Sequence, residues 1–137
     1  MTAVYIRFQS PHPGKRGVHT GVFGLANGLG RSGELTAEEH RDWRAGNDWF
    51  NDAYPDPSAT DPSVYDQALH PRATAWFKSS ATHLLDRVPR YLEILTAHGV
   101  ACLRVEAEDP GRVIYEDDVQ IVVVPHDEDA QMSFHPQ

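Results

Sequence analysis

The sequence has one cysteine, Cys102, among 137 residues. A single thiol can form neither an intramolecular disulfide nor a cysteine-based zinc cluster, so nothing here calls for an oxidising compartment. Cations are scarce as well: 12 lysines and arginines face 20 acids, a formal charge of −8. That field repels phosphate backbones, and only Lys15-Arg16 sets two cations side by side. Nucleic-acid binding is therefore not expected. Long apolar runs are missing too. None exceeds four residues, as in Ile121–Val124, which is of strand length and far short of the roughly 18 residues of a membrane span. The N-terminal MTAVYIRFQS lacks the apolar stretch of a signal peptide. The expectation is a soluble, cytoplasmic protein with no membrane association.

Motif chemistry is thin in the same way. The glycines of 21–33 match neither a P-loop, which needs Gly-Lys-Ser/Thr, nor a dinucleotide fingerprint. None of the eight histidines lies four residues from another, the spacing that places two imidazoles on one helix face. No cofactor and no metal is expected. Ordinary globular proportions, 40% hydrophobic and 23% charged residues, argue for one folded domain over residues 1–125. The tail 126–137 has no period and is expected to fray.

The period of the apolar residues gives the elements. Val4, Ile6 and Phe8 alternate with Tyr5, Arg7 and Gln9, which predicts a strand over 3–9 with one polar face. A helix follows over Gly21–Gly30, with Thr20 as its N-cap and Gly24 and Gly28 permitting a close approach. Thr36-Ala-Glu-Glu39 is a capping box for a second helix, which Pro55 ends. Ala73, Phe77, Ala81, Leu84, Val88, Leu92 and Leu95 form a stripe spaced by three or four. It predicts a third helix over 71–98, kinked at Pro89, with Gly99 as its left-handed terminator. Val100–Glu106 reads as a strand, and Val113–Glu116 and Val119–Val124 as a hairpin about Asp117-Asp118. The expected fold is a two-layer α+β domain, β-α-α-α-β-β-β, with three helices on a mainly antiparallel four-stranded sheet. In that sheet the first strand pairs with the last.

The chemistry is expected around 43–77, which holds all three tryptophans and seven of the 13 aromatic residues. Between the second and third helices runs a proline-punctuated loop, Pro55–Pro71, carrying Asp56, Asp61 and Asp66. A loop of that length is commonly a lid or binding segment, and a disordered linker would be poor in aromatics. Two readings follow. In the first, a small polar or cationic organic ligand binds under residues 55–70, walled by Trp49, Tyr54, Tyr65 and Trp76. His70, Asp56 and Asp66 are then acid/base candidates for cofactor-free hydrolysis or proton transfer. Arg7 becomes an anion anchor if the first strand borders that pocket, and Gln120 and Tyr115 are expected to join its polar face. In the second, the aromatic and acidic surface of 43–77 docks a partner protein.

Overall fold

The computed structural model describes residues 3–126. Strands β1 (Tyr5–Pro13) and β2 (His19–Gly21) lead into α1 (Val22–Ser32) and α2 (Ala37–Ala53). A one-turn helix, α3 (Pro57–Thr60), precedes β3 (Thr74–Lys78), a one-turn α4 (Thr82–Leu85) and α5 (Pro89–Ala97). The chain closes with β4 (Leu103–Ala107), β5 (Arg112–Glu116) and β6 (Gln120–Val124). The class is α+β, with three helices of two turns or more. Among the described residues, no helix is long and apolar enough to cross a membrane.

The sheet differs from expectation in strand number and order. It has six strands, all paired antiparallel, and β3 lies between β1 and β6. The first strand therefore does not pair with the last. Its outer edge takes β4, from Tyr5↔Ala107 to Gln9↔Leu103. Its inner edge pairs with β3 at Tyr5 and Ile6, then with β2 from Gln9 onward.

Such an order forces the sheet to curl. β4 and β5 lie at opposite edges yet are joined by only the four residues 108–111. Four strand spacings make roughly 19 Å across a flat sheet, while that linker reaches about 18 Å at full extension. Curling brings the edges together, and β4 shares an apolar cluster with β6. In it, Trp76, Ile121 and Val123 are buried, with Tyr5, Val105 and Ala107 packed on them. The larger core lies on the other face, where Ile6, Phe8 and Phe77 meet Val22, Phe50, Leu84, Tyr91 and Leu95.

The third helix is the main correction. Residues 74–78 are a strand, and only α4 and α5 of the 71–98 span are helical. Thr-Ala-Trp-Phe-Lys is rich in branched and aromatic residues, which suits a strand. As a central strand it buries Trp76 on one face and Phe77 on the other. The stripe of three-and-four spacing ran through Phe77 because that residue faces the same core as the helices. Other signals hold: the Thr36–Glu39 capping box is formed, Gly99 adopts φ +70° after α5, and Asp117-Asp118 turns the β5–β6 hairpin. Thr20 does not cap α1; Gly21 is the N-cap, without a side-chain bond. Residues 127–137 of the expected tail lie outside the described residues.

The close approach to α2 falls at Gly30 rather than at Gly24 or Gly28; a methyl at 24 would meet only the Thr20 side chain. A methyl at position 30 would overlap the Trp43 indole, whereas one at 28 meets nothing within 4 Å. Gly28→Ala should stabilise the protein by about 1 kcal/mol through helix propensity. Gly30→Ala should destabilise it by about 1–3 kcal/mol through overpacking. Urea denaturation of both variants checks this; an equal response at the two sites would overturn the α1–α2 packing described.

Candidate functional site

The 55–70 loop is built from its own aspartates. Asp56 Oδ1 accepts from Ser58 N at 3.0 Å and Ser58 Oγ at 2.6 Å. Asp61 repeats the arrangement with Ser63, at 3.0 and 2.7 Å. Asp66 accepts from Ala68 N at 2.8 Å. These are the short-range turns that aspartate makes with backbone amides two residues on. Pro57 and Val64 are buried and pin the loop to the domain. Arg16 donates from its guanidinium to Pro71 O and Gln67 Oε1.

Gln120 and Asp117 hold the loop from the sheet side. Gln120 is the one buried polar side chain among the described core residues. Its Nε2 donates to Pro55 O and to Asp117 Oδ2, each at 2.9 Å. Asp117 also accepts from Tyr115 Oη at 2.8 Å and from the amides of Val119 and Gln120. Partial burial would raise its pKa. The bonds from Val119, Tyr115 and Gln120 outweigh that and hold it below the ordinary aspartate value.

Beneath the loop is a cavity of about 210 Å³, walled by Arg7, Tyr54, Tyr65, Pro55, Pro57 and Gln120 among others. The first strand thus borders the space under the loop. Arg7 sits where β1 parts from β3 and takes up β2. Its Nη1 donates to Ala75 O at 2.9 Å, Nη2 to His19 O at 2.7 Å, and Nε to Gln9 Oε1 at 2.8 Å. Three of the five donor hydrogens of a guanidinium are engaged there. Among the described residues no carboxylate forms an ion pair with it. Burial lowers the Arg7 pKa, yet arginine stays protonated in proteins. Burial raises Tyr54 and Tyr65, so these phenols face the cation in neutral form.

The structure gathers three of the expected residues, Arg7, Tyr54 and Tyr65, around that cavity. Gln120 joins them, although β3 separates its strand from β1. Asp56 lies on an adjoining cleft. Trp76 is only 9% exposed on the opposite sheet face, in the strand-only cluster, with Nε1 donating to Thr74 Oγ1 at 3.3 Å. Trp49 lines a groove between α2 and α5, under the Arg87 guanidinium at 4.3 Å from the ring centroid. His70 Nδ1 lies 2.8 Å from Ser63 O, and neither His70 nor Asp66 lines the Arg7 cavity. Trp43, Phe50, Trp76 and Phe77 are buried, which takes much of the aromatic stretch off the surface; Tyr65 at 40% and Leu69 at 60% remain exposed. In the sequence Asp117 is legible only as a hairpin residue, and Asn27, Asn47 and Asn51 carry no local signal. Gln120 interrupting an apolar strand was the one available signal.

The acid response follows from the lowered carboxylates. Asp117 has a folded pKa below its unfolded value, so its contribution is fully present above about pH 4 and fades as pH falls through the folded pKa. Asp117→Asn should cost about 2 kcal/mol at pH 7, since the new amide cannot accept at both atoms. It should also flatten the loss of stability below pH 4. Urea melts from pH 2 to 7 measure both effects, and an unchanged acid limb in the variant would exclude this role. Comparison with known proteins finds no matching family model, no matching curated protein and no matching solved structure, so the chemistry of this site is read from its own residues.

Proposed function

We propose that this domain binds a small polar organic ligand beneath residues 55–70, with Arg7 as the anchor for an acid group. One observation carries the reading: a half-buried guanidinium, without a carboxylate partner among the described residues, borders a cavity walled by two neutral tyrosines. A buried cation is costly unless paired and hydrogen-bonded. Carbonyl oxygens relieve part of that cost, and a carboxylate or phosphate taking the remaining donors relieves more through charge-assisted bonds. Among the described residues no acid lines the cavity, which favours an anionic over a cationic ligand. Its volume of about 210 Å³ is below the common range for drug-sized ligands, in keeping with a metabolite-sized acid group.

The residues argue for binding ahead of catalysis. His70 and Asp66 are committed to loop hydrogen bonds, and Asp56 spends one oxygen on Ser58. A general acid/base must lie within hydrogen-bond reach of the proton it moves, and no histidine or carboxylate of the described residues lines the Arg7 cavity.

A thermal-shift screen of small carboxylates and phosphates on the purified chain tests the reading. A ligand at 100 times its Kd should raise the melting temperature by about 10 °C. Arg7→Gln should abolish the shift. Tyr65→Ala, at a half-exposed wall, should weaken it while the unliganded protein stays folded. No stabilising anion across a broad library would sink the proposal and favour a partner-protein role for the exposed Tyr65 and Leu69.

A further inference from the structure

A second and wider cleft, of about 400 Å³, adjoins the Arg7 cavity, and Phe23, Tyr54 and Pro55 are walls of both. Its polar lining is unlike that of the first: Asn27, Asn47, Asn51 and Asp56. Two of these amides are fixed by a network joining α1, α2 and α5. Asn27 Oδ1 accepts from Trp43 Nε1 and from Asn47 Nδ2, both at 3.0 Å. Asn47 Oδ1 accepts from the Tyr91 hydroxyl at 2.8 Å. With both acceptor directions of Asn27 Oδ1 used, the amide cannot flip without breaking two bonds.

The Asn27 amino group is thereby left over. Its Nδ2 forms no hydrogen bond to the described residues, yet no buried side-chain nitrogen or oxygen among them lacks a partner. Nδ2 is thus open to the cleft. Asn51 is exposed on the same cleft, and Asp56 Oδ2 makes no hydrogen bond to the described residues, since both Ser58 contacts fall on Oδ1. Oriented amide donors, an amide acceptor and one carboxylate oxygen lie next to the Phe23 and Tyr54 rings. A hydroxyl both donates and accepts, and a carbon skeleton bearing several hydroxyls still offers a C–H face to an aromatic wall.

We infer that the ligand is an anionic polyol, its acid group on Arg7 and its hydroxyls on Asn27, Asn51 and Asp56. This rests on the Arg7 reading and extends it to the substrate class. The shared chemistry is a sugar-like body bearing a carboxylate or a phosphate.

Isothermal titration of the full chain with acetate, inorganic phosphate, glucuronate, glucose 6-phosphate and glucose tests the inference. Glucuronate should bind about tenfold tighter than acetate, or glucose 6-phosphate about tenfold tighter than phosphate, as one or two added hydrogen bonds would give. Which pair shows the gain identifies the acid group. Asn51→Ala, at an exposed position without a described hydrogen bond, should remove most of the gain and leave acetate and phosphate unchanged. Arg7→Gln should weaken the polyols and the plain anions alike. Equal binding of polyol and plain anion, both lost in Arg7→Gln, would overturn this inference and leave the Arg7 anchor standing. A gain that survives Asn51→Ala would overturn the placement of the hydroxyls. Absence of any anion binding would overturn the inference and the anchor together.

Discussion

Arg7 is the joint on which the sheet turns. β1 has to leave β3 after Ile6 and take up β2 at Gln9, and a backbone carbonyl at such a parting loses its ladder partner. The guanidinium supplies it, donating to Ala75 O in β3 and His19 O in β2. A lysine would deliver a compact charge without the planar fork that meets two carbonyls at once. The splay that Arg7 bridges also opens the cavity beneath the loop. One side chain therefore fastens three strands and puts a positive charge, with no carboxylate partner among the described residues, on the wall of a cavity.

The loop is held over that charge by a second polar device. Gln120 reaches from the most buried strand to Pro55 O, and Asp117 sets its amide while turning the β5–β6 hairpin. Buried polar groups carry a high cost when unpartnered and give rigidity when every member is satisfied. Here every buried side-chain polar atom among the described residues has a partner. The loop is long in sequence but short of freedom, since Pro57 and Val64 are sunk in the domain and its aspartates close local turns. What looks like a flexible lid is a fixed roof.

The helical layer shows the same pairing of polar fixing with apolar packing. Phe23, Phe50, Tyr54, Phe77 and Tyr91 form a set of edge-to-face and stacked rings under α1, α2 and α5. Burial raises the Tyr91 pKa to about 12, so at neutral pH its hydroxyl is protonated and donates to Asn47. Two ends of the layer are tied by His98 Nε2 against Glu39 Oε1 at 2.8 Å, joining the end of α5 to the first turn of α2. Asn27 and Asn47 are held in one arrangement because each Oδ1 accepts from a neighbouring side chain.

By itself the sequence determined the local stops and starts. The capping box of α2, the left-handed Gly99 after α5, the hairpin at Asp117-Asp118 and the alternation of Tyr5–Gln9 are set by interactions a few residues long. Tertiary structure decided what long-range pairing decides. Thr74–Lys78 is compatible with a helical stripe and with a strand, and only the free edges of β1 and β6 make it a strand. Which aromatics line a cavity was also beyond local pattern. Trp49 and Trp76 lie close to Tyr54 and Tyr65 in sequence, yet the curl of the sheet and the turn of α2 send them to other faces. That the Arg7 strand borders the loop was also beyond local pattern: Arg7 lines one cavity with Pro55, Pro57 and Tyr65.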